Sequence, residues 1–330
     1  MTRYTTTDVL ICGAGVTGLT LAIELARHGV SFRLIEKRAT PFIGSRGKGI
    51  QPRTQEIFED LGILNKVVAA GGLYPRLRTY RHDGSYVDSD IAHHTKPTHA
   101  EPYHLPLMVP QNVTETIMRE QLKAWGHRVE FGCELRHFAQ TPRTVTAYVA
   151  GPAGEELLDS YEQERRPVAE SLLHLSTRLL DSQKQGGIKR ERDVQQLDIQ
   201  YTNSPLAHTL PERQHGLQAG ERAPDAPLLG AGGQSLRLFQ LLQGPDWNLL
   251  AYETHGKVID ARRGLRIHHI GEQDELIDTL GHFRESYHLA PGQCVLIRPD
   301  GYVGAFFHGK QSNDIENYLS RFAIGIKDEY

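Results

Sequence analysis

Cysteine is scarce. The chain has three in 330 residues (Cys12, Cys133 and Cys294), far apart, with no C-x-x-C pair and no metal-ligand spacing. This excludes a disulfide framework and suits a reducing cytoplasm. An excess of one charge is also missing: 37 Lys and Arg face 40 Asp and Glu, a net charge of −3. Nothing electrostatic therefore favours nucleic acid or an anionic membrane as partner. No apolar run reaches the length of a membrane span. The stretch nearest to a leader, Val9 to Ile23, is interrupted by three glycines, preceded by Asp8 and followed by no convincing small-residue cleavage site. A soluble cytoplasmic protein of about two domains is expected, and no internal repeat or low-complexity tract breaks it up.

The most informative stretch is DVLICGAGVTGLTLAIELARHGVSFRLIEKR. Val9 to Cys12 form the continuous apolar run of a parallel strand covered on both faces. Leu19, Ala22, Ile23 and Ala26 recur at helical spacing, Gly29 ends the helix, and Phe32 to Glu36 form the next strand. The result is a βαβ unit around G-x-G-x-x-G, with Gly13, Gly15 and Gly18 in the motif. Gly13 permits the tight turn, Gly15 lets a pyrophosphate approach the backbone, and Gly18 lets helix and strand pack closely. Free N–H groups at the helix N-terminus, at Val16 and Thr17, favour the anion, and Glu36 would accept hydrogen bonds from an adenosine ribose. The motif alone does not separate FAD from NAD. Lys37 and Arg38 leave NADP open as well, since cations there could meet a 2′-phosphate.

Further along, residues 52–71 read as a helix broken at Gly62, Arg76 to Val87 as a hairpin turning at HDGS, and 92–106 as a loop rich in His and Pro. NVTETIMREQLKAW is an amphipathic helix, RVEF a short third strand, and Leu135 to Val149 a hairpin. Pro167 suits a first helical turn, followed by an apolar stripe of Val168, Leu172, Leu175 and Leu179. Residues 183–213 are polar and read as a linker. From about Gly216, short strands and helices alternate in a second, smaller α/β domain. His93, His94, His99 and His104 share no spacing with a carboxylate or cysteine, so no metal site is assigned. Cys294 lies in an apolar run and reads as a buried small hydrophobe.

The segments SRGKGIQPRTQEIFEDLGI, LMVPQNVTETIMREQL, LLDSYEQERRPVAE, GERAPDAPLL and VLIRPDGYVGAF resemble the flavin-dependent aromatic hydroxylases of the para-hydroxybenzoate hydroxylase type. The resemblance implies a Rossmann-like, glutathione-reductase-type FAD-binding domain with a parallel sheet, followed by a thioredoxin-like α/β domain. It assigns the ADP half of FAD to Gly13, Gly15, Gly18 and Glu36, with Lys37 beside it. Further cofactor contacts fall on Arg46 of the S-R-x-x-G-I motif and Gln111 of the V-P-Q motif. It also implies NADPH as reductant, dioxygen and a small aromatic substrate, phenolic or polyketide-like, with no metal and no protein nucleophile. The C-terminal domain, lacking C-x-x-C, is expected to act structurally or in dimerisation.

One family feature is missing. No Gly-Asp dipeptide occurs in the chain, and its Asp-Gly pairs, Asp83-Gly84 and Asp300-Gly301, sit in unrelated turns. The hairpin at 135–149 runs almost directly into the late LLDSYEQERRPV helix, so the central substrate-binding block reads as absent. The expected division is a FAD-binding domain at 1–182, truncated internally near 150–157, a linker at 183–213, and a thioredoxin-like domain at 214–330. A parallel sheet of about three strands should remain, with the first strand at an edge and the site for the reactive ring largely lost. Three functions stand open: a FAD- and NADPH-dependent aromatic hydroxylase, a FAD- or nucleotide-binding remnant without catalysis, and a thiol redox protein, which the absent C-x-x-C disfavours.

Overall fold

The computed structural model describes residues 7–44, 47–90, 96–135, 155–184, 192–210, 213, 215–254, 256–272 and 274–322. The chain begins β1 (Val9–Cys12), α1 (Val16–Arg27), β2 (Phe32–Glu36), β3 (Gly49–Ile50), α2 (Pro52–Asp60), α3 (Leu64–Ala69) and β4 (Gly72–Leu73). It continues through β5 (Leu77–Tyr80), β6 (Tyr86–Ser89), β7 (Leu107–Met108), α4 (Gln111–Ala124), β8 (Val129–Phe131), α5 (Glu155–Lys184) and α6 (Arg192–Gln195). The last part comprises β9 (Pro227–Gly230), β10 (Ser235–Arg237), α7 (Leu238–Leu242), β11 (Trp247–Tyr252) and β12 (Leu265–Ile270). It ends with β13 (Leu276–Ile277), α8 (His282–Tyr287), β14 (Gln293–Ile297), β15 (Val303–His308) and α9 (Ser312–Ser320).

Two compact units form. The first takes residues 1–50, 61–73 and 107–151, and the second takes 51–60, 74–106 and 152–330. In the first, β1, β2 and β8 make a parallel sheet with β2 in the middle, pairing Val9 with Phe32 and Glu36 with Phe131. Ile11, Leu34 and Ile35 are its buried positions, and α1 sets Leu19, Ala22 and Ile23 inward. The helix stops where Gly29 turns at φ +69°, a conformation that costs a glycine little, and Val30 N–H closes the end on the Leu25 carbonyl. Ile117, Met118 and Leu122 of α4 are buried, and α4 packs on α1. Among the described residues β1 is an edge strand, with Leu10 44% exposed.

The second unit is built on a mixed sheet of order β10-β9-β13-β12-β11-β14-β15. Successive side chains of its central strands go to opposite faces, the period-2 consequence of an extended backbone. Leu250, Tyr252, Val295, Ile297 and Phe306 join one core with Phe283 and Tyr287 of α8. Leu249, Ala251, Cys294, Leu296 and Phe307 join the other with Ile315, Tyr318 and Leu319 of α9. Both faces are therefore covered, which is why these strands read as unbroken apolar runs rather than alternating ones. Cys294 is buried, and that burial pushes its thiol up to about 12, far from a reactive thiolate.

Two expectations need correction. Pro167 is not in a first turn: it lies inside α5. Proline there removes one helical N–H and orphans the carbonyl four residues back. Both Gln163 and Pro167 are exposed, so water can meet that carbonyl. The stripe Val168, Leu172, Leu175 and Leu179 does face inward, and buried Glu164 extends it by one turn. The stretch read as a linker is packed where it is described, with Val194, Leu197, Tyr201, Leu206 and Leu210 all buried. Polar composition concealed apolar positions that sit singly rather than in runs. The hairpin expected at Leu135 to Val149 falls almost wholly outside the described residues.

An ion network holds the second unit together. Arg298 is bidentate to Glu164 at 2.7 and 2.9 Å and pairs with Asp300 at 2.8 Å, and Arg165 reaches Asp300 at 3.0 Å. Arg53 of α2 donates to the Asp300 carbonyl at 2.8 Å and to Glu56 at 2.8 Å, and Arg222 pairs with Glu56 at 2.9 Å. Burial works against the charge of Arg53 and Arg298, but their carboxylate partners outweigh it and hold both guanidiniums above their ordinary value.

Candidate dinucleotide site

The turn between β1 and α1 gives each motif glycine its own task. Gly13 sits at φ +109°, a region that side-chain-bearing residues rarely enter. A Cβ on Gly18 would stand 2.1 Å from the Gly13 carbonyl oxygen and 3.2 Å from Ile11 Cγ2, so only glycine lets α1 lie against its own turn. A Cβ on Gly15 would meet nothing closer than Glu115 Oε1 at 4.0 Å. Gly15 is thus open on the side where a ligand would approach. It is also the N-cap of α1, with no side-chain cap and no acid in the first turn. The N–H groups of that turn, Val16 and Thr17 among them, therefore face no competing carboxylate of their own helix.

Glu36 ends β2 and reaches back to this turn. Its Oε2 accepts the Ala14 N–H at 3.0 Å and its Oε1 accepts the Arg38 N–H at 3.1 Å. The Ala14 hydrogen bond is the main cause that holds the Glu36 carboxyl below its ordinary value. Each oxygen keeps lone-pair capacity for a second donor, as a ribose hydroxyl would require.

Gln111 arrives from another direction. β7 pairs with β3 and β4, and the same strand direction continues as Val109 N–H donates to Lys48 O at 2.7 Å and Gln111 N–H to Gly47 O at 3.1 Å. Pro110 at φ −58° then starts α4. One turn on, Gln111 Nε2 donates to Glu115 Oε1 at 2.7 Å, and a turn further Arg119 Nη1 lies 3.8 Å from Glu115 Oε2.

These elements enclose a cavity of about 260 Å³. Ala14 and Gly15 form its floor, Glu36, Lys37 and Arg38 one wall, and Gln111, Glu115 and Arg119 another. Pro41, Phe42 and Phe131 complete it, with Arg38 over the Phe42 ring at 4.8 Å. Of the residues singled out from the sequence, Gly15, Glu36, Lys37 and Gln111 line this space, with Gly13 and Gly18 shaping its floor. Arg46 lies outside the described residues. Glu115, Arg119, Phe42 and Phe131 were missed, although Glu115 and Arg119 fall at i+4 and i+8 from Gln111 on a helix already recognised. Of the four histidines, His93 and His94 lie outside the described residues and the His99 ring lies tilted against that of His282, centroids 4.0 Å apart. Among the described residues no three His, Cys, Asp or Glu side chains are grouped to hold a metal. No described helix is long and apolar enough to cross a membrane.

The geometry fits an adenine dinucleotide, and the comparisons agree. Residues 6–152 match the model of the FAD binding domain family. Over 154 residues the chain is 38% identical to a flavin-dependent monooxygenase of Mycobacteroides abscessus, a match covering 46% of this chain and 32% of that protein. The family match spans the segment that carries the glycine turn. A second relative, the 6-methylpretetramide 4-monooxygenase of Streptomyces rimosus, is 35% identical over 140 residues, 42% of this chain and 25% of that one. The chain matches about a third or less of the length of these relatives. Among solved structures, the flavin-dependent monooxygenase PieE, in complex with FAD and substrate, has a TM-score of 0.77 at 15% identity. That match covers 98% of this chain and 100% of PieE. Aklavinone-11 hydroxylase, in a ternary complex with FAD and aklavinone, has a TM-score of 0.68 at 16% identity, covering 98% and 100%. At such identities these two likenesses describe the fold. Within it, the matched residues 6–152 contribute the parallel sheet and the glycine turn.

Proposed function

We propose that this chain is a FAD-dependent, NADPH-using monooxygenase acting on an aromatic, phenolic or polyketide-like substrate. One observation carries the cofactor assignment: Glu36 accepts the Ala14 N–H at 3.0 Å beside a cavity that Gly15 lines without a side chain. The overall change is aromatic C–H + O2 + NADPH + H⁺ → C–OH + NADP⁺ + H2O, and FAD would supply the two-electron chemistry and oxygen activation. The chain's own residues bind and orient. The α1 turn receives the diphosphate, Glu36 accepts from the adenosine ribose, and Gln111 and Lys37 border the same space. Family kinship supports Arg46 as a further contact. The order β12-β11-β14-β15, with α8 on one face and α9 on the other, supports a thioredoxin-like C-terminal body in a structural or dimerising role.

A second reading has its own support. The parallel sheet has three strands among the described residues, and 260 Å³ is below the usual range for a whole drug-sized ligand. Both features suit a chain that holds the ADP half of FAD without turnover, its central block missing. The deciding experiment is to purify the protein, record its flavin absorbance, and follow NADPH oxidation with and without phenolic or polyketide substrates. Bound flavin with substrate-stimulated turnover is the expected result. Binding of ADP or FAD without turnover selects the second reading, and binding of neither overturns both.

Glu36→Ala should weaken ADP binding about ten- to a hundredfold, the worth of hydrogen bonds to a charged acceptor. Calorimetric titration would measure this, and an unchanged affinity would remove Glu36 from the site. The folded value of Glu36 lies below the ordinary 4.5. Its stabilising carboxylate is thus fully present above that pH and is lost as pH falls through the lower folded value. ADP affinity should accordingly stay flat through neutrality and drop only on the acid side.

A further inference from the structure

Most buried arginines in this protein are spent. Arg53 and Arg298 hold carboxylates at hydrogen-bond distance, and Arg237 pairs with Asp225 at 2.6 Å. Arg213 has no such carboxylate, but its donors go to the main-chain carbonyls of Leu217, His288 and Tyr287. Arg119 differs from all of these. Its side chain is 16% exposed, and its charge partner Glu115 stands 3.8 Å away, beyond hydrogen-bond reach. Among the described residues its hydrogen bond is the one to Thr116 Oγ1, at 2.7 Å. Burial lowers the guanidinium from its ordinary value, with Glu115 opposing the effect only in part. A guanidinium carries five donors in a rigid fork matched to carboxylate and phosphate, and among the described residues only Thr116 Oγ1 accepts from this one.

Where Arg119 lies gives that fork a use. It lines the same cavity as Gly15 and Glu36. Glu115, also a lining residue, has an oxygen 4.0 Å from the position of a Cβ on Gly15, so a buried carboxylate faces the open floor. An anion settling over Gly15 would be repelled by Glu115 unless a cation in the same wall offset it. Lys37 and Arg38, the other cations of the lining, are exposed to solvent. Arg119 lines the same space as Glu115 and is paired with it at 3.8 Å rather than hydrogen-bonded to it.

We propose that Arg119 is a phosphate-binding residue of the cofactor site, donating to the diphosphate of the dinucleotide while Glu115 holds the Gln111 carboxamide and steadies the guanidinium. This rests on the dinucleotide reading of the cavity. It predicts a site that discriminates by phosphate content, beyond what the glycine turn alone would provide.

The test compares ADP with adenosine as calorimetric probes of the full chain and its Arg119→Gln and Arg119→Lys variants. Arg119→Gln should lose about ten- to a hundredfold in ADP affinity and leave adenosine affinity unchanged. Arg119→Lys, a point charge without the fork, should fall between. Should Arg119→Gln fail to fold, as judged by its thermal melt, the lysine variant carries the comparison, with a loss for ADP and none for adenosine. Equal ADP affinity in wild type and both variants would overturn the proposal, as would a parallel loss for ADP and adenosine, the mark of a merely structural role. A wild-type protein that binds neither probe would overturn the dinucleotide reading itself.

Discussion

Gly18→Ala should unfold the first unit more readily than any other single-methyl change in the glycine turn. The new Cβ would lie 2.1 Å from the Gly13 carbonyl oxygen, a main-chain atom of the turn itself. No side-chain rotation relieves such a clash, so α1 must lift from β1. Overpacking of this kind costs about 1–3 kcal/mol, and a backbone obstacle puts it at the upper end. The gain of about 1 kcal/mol in helix propensity from alanine is too small to offset it. Gly15→Ala is the informative control, because its Cβ has room and Gly15 at φ −78° suits alanine. It should melt like the wild type yet bind ADP more weakly, since the methyl occupies the approach to the floor. Urea unfolding and ADP titration on both variants check this, and wild-type stability in Gly18→Ala would remove the packing argument.

The second large effect lies in the other unit. Glu56 is buried between Arg53 at 2.8 Å and Arg222 at 2.9 Å, with side-chain exposures of 3%, 9% and 7%. Glu56→Ala would leave two guanidiniums short of their shared counter-charge inside the protein. Breaking a buried pair on one side costs about 3–5 kcal/mol. Arg222 Nε has no hydrogen-bond partner among the described residues, so the site has little reserve. Glu170→Ala provides the contrast: its pair with Arg166 is 3.2 Å long but 61–68% exposed. Such a surface pair contributes about 0–1 kcal/mol. A urea midpoint for Glu56→Ala indistinguishable from that of Glu170→Ala would show that the buried network does not hold the unit together.

The sequence carried the local order of the first unit well. An apolar run, three glycines at fixed spacing and an acid after the next apolar run determine a strand, a tight turn, a helix and a second strand almost without tertiary help. The break at Gly62, at φ +71°, and the hairpin turn at Gly84, at φ +82°, were legible for the same reason: glycine marks backbone that other residues avoid. Arg119 and Glu115 were less visible. Charged residues on an amphipathic helix ordinarily read as its solvated face, and only the docking of α4 beside the glycine turn makes these two line a cavity. The ion network escaped similarly, since EQERRP looks like surface helix until Arg298 and Ser204 are brought to Glu164 from far along the chain.

The interleaving of the two units bears on how the gene can be divided. Residues 51–60 and 74–106 stand between segments of the first unit yet build the second. A fragment ending near residue 150 would therefore carry α2 without Arg222, Arg237 and the Asp300 carbonyl, leaving its acidic and basic groups facing water or each other. A fragment starting after residue 150 would lack the strip that supplies those groups. Neither half should behave as a self-sufficient protein, and co-expression of the two is the form in which separate pieces could regain native architecture.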